Sequence, residues 1–470
     1  MSQSQLANCN YFTNNEKLIE EKIAISPIEN AIMRIKRLST DSQIRQNHYI
    51  RGSLSIHEIN SQDFVFTALN YSSNIGFQLY ETLQESSSAP WKTYEFTPTG
   101  KRQTDINGSL YNGAAGIAIF FAYLDAIQPN QKFREAALRS LHYTIEKRDE
   151  NHSLIGAFQG KAGLIYVLTH LFALWKEPRL LELAIKLTAE IETRISQDIY
   201  YDVLQGAAGV IPVMLGLTKL LGEKSNIAIN CALACAEHLV KTATKQNGTL
   251  SWSCNPPGTT TANLTGFSHG AGGIGWALIK LGCHINEPKY ISFGRQAFAY
   301  EAIKFDTEEK NWYDFRKSVM TKESPGPKFA HYWCSGSAGI GLSRIDSWAT
   351  LGCTDEDILN DAYAALQATL RNFHQLENDS LCHGKSGSAE LLLRFSLLKD
   401  EPYLQMEANA LAMAQWNNFE RTGHWTCGGA GGTVFPDLMI GLAGIGMHFL
   451  RLAYPDKVPS PLLLDPPLLA

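Results

Sequence analysis

Seven Gly-x-x-Gly quartets, each followed by an apolar run, recur along this chain of 470 residues. The first and last glycines of the quartets are Gly113/Gly116, Gly160/Gly163, Gly206/Gly209, Gly270/Gly273, Gly336/Gly339, Gly384/Gly387 and Gly441/Gly444. Successive quartets lie 46 to 66 residues apart, and such a period is typical of architectures in which each repeat is one supersecondary unit. The spacing therefore predicts a repeat protein.

Each repeat is predicted to contain two helices. After Gly116 the apolar residues Ile117, Phe120 and Leu124 fall on one helical face, and a second helical pattern such as 180–191 fits between consecutive quartets. Because helix pairs of this kind cannot bury their apolar faces alone, they must stack as an open solenoid or a closed ring. Neither end carries a polar capping repeat, and the helices after the glycines are apolar nearly all round. We therefore predict an all-α fold, an α/α toroid of about fourteen helices.

The repeat pattern does not reach the N-terminal part of the chain. Residues 1–104 are predicted to form a helical N-terminal extension, because helical periodicity occurs over 30–38 and 63–83 without a quartet. Residues 105–470 form the predicted repeat domain. The two longest intervals between quartets contain polar, proline-bearing loops, and these are predicted to be lids over one end of the ring. The loops are residues 251–265 and 321–328.

Composition excludes several classes of function. With 44% hydrophobic and 19% charged residues and a net charge of -5, the chain can bury a large core and has no broadly cationic surface for nucleic acid. The longest apolar stretch, 203–217, contains glycines and a proline and is too short to span a bilayer. The N-terminus resembles no signal peptide, so a cytosolic protein is expected. Its nine cysteines are then better explained as buried thiols, metal ligands or reactive groups than as disulfides.

Most of the rare reactive side chains stand at matching offsets before the first glycine of a quartet. They are His269 at one residue, Cys334 at two, Cys382 at two, His383 at one and Asp202 at four. The equivalent positions elsewhere, Tyr111-Asn112, Phe158-Gln159 and Met439-Ile440, carry no comparable chemistry. If all inner helices begin at one end of the ring, these side chains converge on one mouth.

Two thiols and one imidazole on adjacent repeats form a donor set suited to Zn²⁺. A set of three protein ligands leaves one coordination position open, which is the catalytic rather than the structural pattern. His269 and Asp202 would then stand beside the metal as acid-base groups. The alternatives are that each cysteine is a buried apolar residue and that Asp202 is an N-terminal partner of a helix dipole.

Two further groups could be mistaken for metal sites. His424 and Cys427 form the main rival pair, but they lie out of register with the quartet that follows them. Cys231 and Cys235, with His238 nearby, fit an apolar helical face and are expected in the core.

The residues around these positions resemble a known family. The motifs are GFSHGAGGIGWAL around His269, YWCSGSAGIGLSR around Cys334, LCHGKSGSAELLL around His383 and FPDLMIGLAGIGMHFLRLA near the end. Over 105–470 they resemble the lanthionine cyclase (LanC-like) family, most closely the C-terminal cyclase domain of class II lanthipeptide synthetases (LanM).

The resemblance implies a seven-repeat toroid that binds zinc and closes thioether rings in a dehydrated ribosomal precursor peptide. The zinc ligands of the family match Cys334, Cys382 and His383, its active-site histidine matches His269, and its aspartate matches Asp202. A peptide cysteine would add to dehydroalanine or dehydrobutyrine. His269 would protonate the resulting enolate, and Asp202 would orient His269 or take the thiol proton.

The chain departs from the family pattern at two places. Some members have an arginine four residues before the first zinc cysteine, where this chain has Ala330. Class II synthetases also carry a long dehydratase domain before the cyclase, and 1–104 is too short to hold one. Residues 38–54 are similar to the stretch that bridges these two domains. The chain therefore looks like a synthetase without its first half, either because the gene is split or because the sequence is truncated, and a separate dehydratase is one candidate partner.

Two other functions stay open at this point. One is a LanC-like thiol-adding or glutathione-binding protein that uses the same zinc chemistry without a precursor peptide. The other is a non-catalytic subunit that binds the precursor peptide within a dehydratase complex. Glycoside hydrolysis, which also occurs on α/α barrels, requires a pair of carboxylates at the mouth, and only Asp202 has a suitable offset.

Overall fold

The computed structural model describes residues 11–12, 18–19, 61–84, 89–97, 100–149, 154–320, 326 and 328–468. The chain forms two compact units, Met1–Leu54 and Ser55–Ala470. Of the first unit the structure describes one antiparallel pair, β1 (Tyr11–Phe12) and β2 (Leu18–Ile19). The helix predicted over 30–38 and the segment 38–54 lie outside the described residues.

Helices in two layers make up most of the second unit. In chain order they are α1 (Ser61–Glu81), α2 (Ala114–Ile127), α3 (Gln131–Glu146), α4 (Lys161–Trp175), α5 (Pro178–Glu192), α6 (Ala207–Leu221), α7 (Ser225–Thr242), α8 (Ala271–His284), α9 (Pro288–Ala302), α10 (Ser337–Thr350), α11 (Glu356–Asn372), α12 (Lys385–Lys399), α13 (Pro402–Thr422) and α14 (Leu442–Ala453). Short strands connect some of them: β3 (Lys92–Thr97), β4 (Gly100–Asp105), β5 (Thr244–Gln246), β6 (Thr249–Ser251), β7 (Phe305–Asp306), β8 (Asn311–Asp314) and β9 (Lys328–Phe329). β3 pairs with β4, β5 with β6, and β8 with both β7 and β9, all antiparallel.

The even-numbered helices form a closed inner ring. Each begins directly after the first glycine of a quartet, as the sequence predicts. Each contacts the next even-numbered helix, and α14 contacts α2. Every inner helix from α2 to α12 also packs against the outer helix that follows it in the chain. The predicted α/α toroid is therefore confirmed, and the ring is closed rather than an open solenoid.

A circle of backbone hydrogen bonds joins the seven repeats at the end where the inner helices begin. In every repeat the residue two positions before the first glycine donates its N–H to the carbonyl of the corresponding residue in the next repeat, at 2.8 to 3.3 Å. These residues are Tyr111, Phe158, Leu204, Ser268, Cys334, Cys382 and Met439, and Met439 donates back to Tyr111. All seven quartets therefore share one register, and the residues at this offset surround one mouth.

The second glycine of each quartet is required by a close approach of the backbone. A Cβ atom added at this glycine would lie 1.8 to 2.5 Å from the carbonyl oxygen of the residue six positions earlier in all seven repeats. The shortest of these distances is at Gly444 and the longest at Gly116. The first glycine has an unusual φ only at Gly336, where φ is +110°. Close approach, rather than an unusual φ, is thus the general reason for the pattern.

Helix α1 completes the outer layer, although its sequence lacks the glycine pattern. It covers most of the predicted helical segment 63–83 and packs against α14, as each outer helix packs against an inner one. Ser72 Oγ on α1 donates to the carbonyl of Gly446 on α14 at 2.9 Å. The ring therefore includes a helix that the sequence pattern places outside the repeats. The domain boundary after residue 104 stays a prediction.

The C-terminal segment 458–466 lies inside the ring. Leu462 and Leu463 are buried, and the carbonyl of Leu462 accepts a hydrogen bond from Trp333 Nε1 at 3.2 Å. The carbonyl of Asp465 contacts His170 Nε2 on α4 at 3.1 Å, and its carboxylate accepts from Arg394 on α12 at 3.3 Å. Because α4 and α12 lie in different parts of the ring, the segment holds several inner helices together.

The inner helices also carry buried charges that the apolar pattern does not predict. Asp346 on α10 pairs with Lys280 on α8 at 2.7 Å and with Arg394 on α12. Arg451 on α14 pairs with Glu390 on α12 at 2.7 Å. Each of these charges has a partner of opposite sign, as burial requires, because an unpaired buried charge is strongly destabilising.

The two loops predicted to be lids are described to different extents. Residues 259–261 pair with residues 315–317: the N–H of Thr261 donates to the carbonyl of Phe315 at 3.0 Å, and the N–H of Lys317 to that of Thr259 at 2.9 Å. Most of 321–328 lies outside the described residues. None of the helices in the described ranges is both long enough and apolar enough to cross a bilayer.

Candidate functional site

Three potential metal ligands meet at the mouth on two adjacent repeats. Cys334 and Cys382 belong to the circle of backbone hydrogen bonds, where the N–H of Cys334 donates to the carbonyl of Cys382 at 3.2 Å. His383 is the next residue in the chain. One donor atom from each of the three lies within 4.8 Å of the other two. Cys382 is buried, whereas Cys334 and His383 are partly exposed, so the group is accessible from the mouth.

A backbone carbonyl fixes the tautomer of His383. Its Nε2 lies 2.8 Å from the carbonyl oxygen of Gly428. Since a carbonyl only accepts, Nε2 carries the proton and Nδ1 offers its lone pair to a cation. A metal-binding histidine usually donates its second ring N–H in this way. Gly428 permits the contact, because a Cβ there would lie 2.8 Å from Nε2.

The two thiols form a pair that readily loses one proton. A hydrogen bond from Cys382 is the main cause that lowers the pKa of Cys334 to about 6; burial opposes this effect, and the positive charge of Arg316 assists it. The hydrogen bond to Cys334 and burial raise the pKa of Cys382. Thiolate and imidazole donors of this kind are the ones Zn²⁺ prefers. The residues present therefore fit a zinc ion.

Tyr111 is a site residue that the sequence pattern does not reveal. Its hydroxyl donates a hydrogen bond to Cys382 Sγ at 2.9 Å. Burial raises the pKa of Tyr111 well above its usual value, so the hydroxyl stays a donor. Tyr111 stands at the same offset as Cys334 and Cys382, two residues before a first glycine. This shared offset is the sequence feature by which Tyr111 could have been identified as a site residue.

His269 and Asp202 form a hydrogen-bonded pair beside the cysteines. His269 Nδ1 lies 2.6 Å from Asp202 Oδ2. Asp202 is fully buried, and its Oδ1 accepts from the backbone N–H of Gln205 at 2.7 Å and of Gly206 at 3.2 Å. Nδ1 of His269 is therefore the donor, and Nε2 is the ring nitrogen that can meet a substrate.

The charge of Asp202 sets the protonation of His269. Burial alone would lower the pKa of His269, but the nearby carboxylate of Asp202 and its hydrogen bond outweigh burial, and the pKa is raised. Ser268, the residue before His269, donates both its N–H and its hydroxyl to the carbonyl of Cys334, at 3.1 and 2.9 Å. These bonds fix His269 next to the repeat that carries Cys334.

The rival groups do not form a comparable site. His424 is exposed, and its Nδ1 lies 3.0 Å from the carbonyl of Thr422. Cys427 is buried, and burial raises its pKa to about 12. Cys231 and Cys235 are fully buried on α7, as predicted. In the described part of the chain, the one cluster of three or more possible ligands is Cys334, Cys382 and His383.

Comparisons with known proteins give a family and a fold. Residues 104–463 match the family described as lanthionine synthetase C-like protein. The nisin biosynthesis protein NisC of Lactococcus lactis subsp. lactis is 22% identical over 342 residues, which cover 67% of this chain and 79% of that protein. The solved structure of a nisin cyclase is similar with a TM-score of 0.58 at 18% identity, over 77% of this chain and 93% of that one. The structural likeness concerns the fold.

Proposed function

Because the chain belongs to the lanthionine synthetase C-like family, we propose that it is a zinc-dependent cyclase. It would form lanthionine and methyllanthionine thioether rings in a dehydrated ribosomal precursor peptide. The observation that carries the proposal is the cluster of Cys334, Cys382 and His383 beside the His269–Asp202 pair. The relatives named for nisin biosynthesis and for nisin cyclisation support the same reaction.

Cys334, Cys382 and His383 would hold the zinc ion through two sulfur atoms and one ring nitrogen. Bound there, zinc supplies a Lewis acid that lowers the pKa of an incoming thiol. A set of three protein ligands is the pattern of sites that admit a substrate group. The hydroxyl of Tyr111 would temper the negative charge on the Cys382 sulfur, as hydrogen bonds to ligating atoms commonly do.

His269 and Asp202 would handle the proton. The sulfur of a peptide cysteine forms a C–S bond with the β-carbon of dehydroalanine or dehydrobutyrine, and the π electrons move toward the adjacent carbonyl to give an enolate. His269 then donates a proton to the α-carbon, which replaces the proton that the thiol has lost. Asp202 keeps the ring oriented and stabilises its protonated form, because it accepts from Nδ1.

The substrate implies a preceding reaction. Dehydroamino acids arise when serine or threonine loses water, so we propose a dehydratase as the partner that acts first. A cytosolic location is part of the proposal, and it agrees with the described cysteines, all of which are free.

The proposal is tested by zinc content and ring closure measured together. Purified protein should contain stoichiometric zinc and protect the cysteines of dehydrated lanthipeptide precursors from alkylation, as counted by mass spectrometry. Cys382→Ala should lose both properties, because one thiolate ligand is gone. Cys353→Ala, at an exposed cysteine beyond the far end of α10, should keep both.

Two outcomes would contradict the proposal. Stoichiometric zinc retained in Cys382→Ala would remove this residue from the ligand set. Addition of glutathione to dehydrated peptides without any ring closure would favour a thiol-adding protein instead.

A further inference from the structure

The proposed reaction develops negative charge that the residues described so far do not meet. When sulfur adds to the β-carbon, charge appears on the carbonyl oxygen of the dehydrated residue. Enzymes commonly place hydrogen-bond donors at such an oxygen, and this is often the largest single contribution to the rate. His269 is committed to the α-carbon, so a further donor is needed at the mouth.

Arg316 lies on a segment held between the two repeats that carry His269 and Cys334. Just before His269, the hydroxyl of Thr265 donates to the carbonyl of Tyr313 at 2.8 Å. On the other side, Tyr313 and Asp314 of β8 pair with β9, which leads directly into the run that contains Cys334. Arg316 follows two residues after β8, so its segment is bonded both to the run that leads to His269 and to the run that leads to Cys334.

The backbone of this segment is positioned without the arginine side chain. Residues 259–261 pair with residues 315–317 through main-chain atoms, as described above, and Thr260 and Arg316 form an antiparallel bridge. Because these bonds use the backbone, a change of the side chain at 316 leaves them in place.

The guanidinium is oriented by Asp314 and keeps donors free. Nε lies 3.0 Å from both carboxylate oxygens of Asp314, and Nη2 lies 2.5 Å from Oδ2. Asp314 is 5% exposed and Arg316 is 27% exposed, so the pair is fixed while part of the guanidinium stays in contact with solvent. Nη1 has no hydrogen-bond partner among the described residues. The positive charge of Arg316 also reaches His269: burial and, to a smaller extent, Arg316 lower the pKa of His269, and Asp202 outweighs both.

We infer that Arg316 is a catalytic residue that donates hydrogen bonds to the carbonyl oxygen of the dehydrated residue and stabilises the enolate. The inference rests on the proposed function. In the full step, the thiol gives up its proton to solvent, a C–S bond forms at the β-carbon as the C=C pair becomes the enolate held by Arg316, and His269 donates a proton to the α-carbon and regains one from solvent. The planar guanidinium can engage the oxygen through Nη1 while Asp314 holds its other edge.

The test compares Arg316→Gln with Arg295→Gln. Arg295 lies on outer helix α9, is 54% exposed and pairs with Asp355, so its replacement should leave catalysis unchanged. For Arg316→Gln we expect kcat to fall by about 100- to 1,000-fold, the loss typical of removing one oxyanion donor. KM and zinc content should change little. Arg316→Lys should retain more activity than Arg316→Gln, because lysine keeps the positive charge but lacks the planar set of guanidinium N–H donors.

Asp314→Asn separates catalysis from loop support. This variant keeps the guanidinium but weakens the ion pair, so it should lose less activity than Arg316→Gln. The inference is wrong if Arg316→Gln keeps kcat within about threefold of the unchanged protein. It is also wrong if Arg316→Gln and Asp314→Asn lose activity, zinc and thermal stability to the same extent.

A small-molecule reaction distinguishes failure of this inference from failure of the proposed function. The probe is the addition of 2-mercaptoethanol to N-acetyldehydroalanine methylamide, which needs no precursor peptide. If the protein accelerates this addition but closes no peptide ring, the cyclase proposal is wrong and Arg316 is judged on the small-molecule rate. If the protein accelerates neither reaction, both proposals are wrong.

Discussion

Position relative to a quartet decides which side chains can share chemistry. Cys334, Cys382 and His383 could be predicted as one group because they combine metal-binding types with equal offsets, and the structure brings them together. Tyr111 has the same offset, but its residue type did not suggest a role. Arg316 does not stand just before a quartet, so the glycine pattern could not identify it. Hydrogen bonds to residues 259–265 position its loop, and the sequence pattern does not predict these bonds.

Asp202→Asn should shift the pH dependence of the reaction. In the folded protein Asp202 raises the pKa of His269 against the effect of burial. Without the carboxylate, burial and Arg316 lower the pKa of His269 and only the weaker effect of Cys334 raises it, so the imidazolium form should be lost at a lower pH. The basic limb of the kcat/KM profile should therefore move to lower pH, and an NMR titration of His269 should show the same direction.

His424→Gln is the matched control for this measurement. His424 is exposed and away from the pair, so the profile should not move. An unchanged basic limb in Asp202→Asn would mean that His269 is not the group that delivers the proton.

The glycine quartet explains both where an inner helix begins and why the reactive residues before it are fixed. The carbonyl that approaches the second glycine belongs to the residue just before the offset-two position, for example Leu381 before Cys382. A side chain at that glycine would therefore displace the residue that carries the ligand. The sequence predicts these inner helices from their glycines, but it gives no comparable mark for α1, whose place in the ring follows from packing against α14.

Gly387→Ala should disturb the fold and the metal site together. The added Cβ would lie 1.9 Å from the carbonyl oxygen of Leu381, so this carbonyl and the adjoining Cys382 must shift. We expect a loss of about 2 kcal/mol or more in the free energy of unfolding, as for other overpacked sites. Zinc affinity, measured by competition with a chromogenic chelator, should fall as well.

Gly216→Ala provides the comparison within another inner helix. Its nearest contact would be Pro466 at an ordinary 3.4 Å. Because alanine favours helix, stability should stay equal or rise by up to about 1 kcal/mol. Equal stability and zinc affinity in the two variants would contradict the close-approach explanation.

Closure of the ring is a property of the whole molecule that the repeats leave undetermined. Each repeat specifies contacts with its neighbours, and these contacts are compatible with a solenoid or a ring. Three features show that the ring is closed: the backbone hydrogen bond from Met439 to Tyr111, the contact of α14 with α2, and the C-terminal segment. The segment 458–466 matters most, because it reaches inner helices that are not neighbours in sequence.

Leu463→Ala should therefore destabilise the molecule as one unit. Leu463 is fully buried inside the ring, and truncation of a buried leucine costs about 2 to 5 kcal/mol of unfolding free energy. Since the segment joins helices from different repeats, denaturation followed by tryptophan fluorescence and by circular dichroism should still give one coincident transition, at lower denaturant. Leu468→Ala, at a leucine that is 49% exposed, should leave the midpoint within about 0.5 kcal/mol of the original. Separate transitions for the two probes in Leu463→Ala would show that the segment supports one part of the ring rather than its closure.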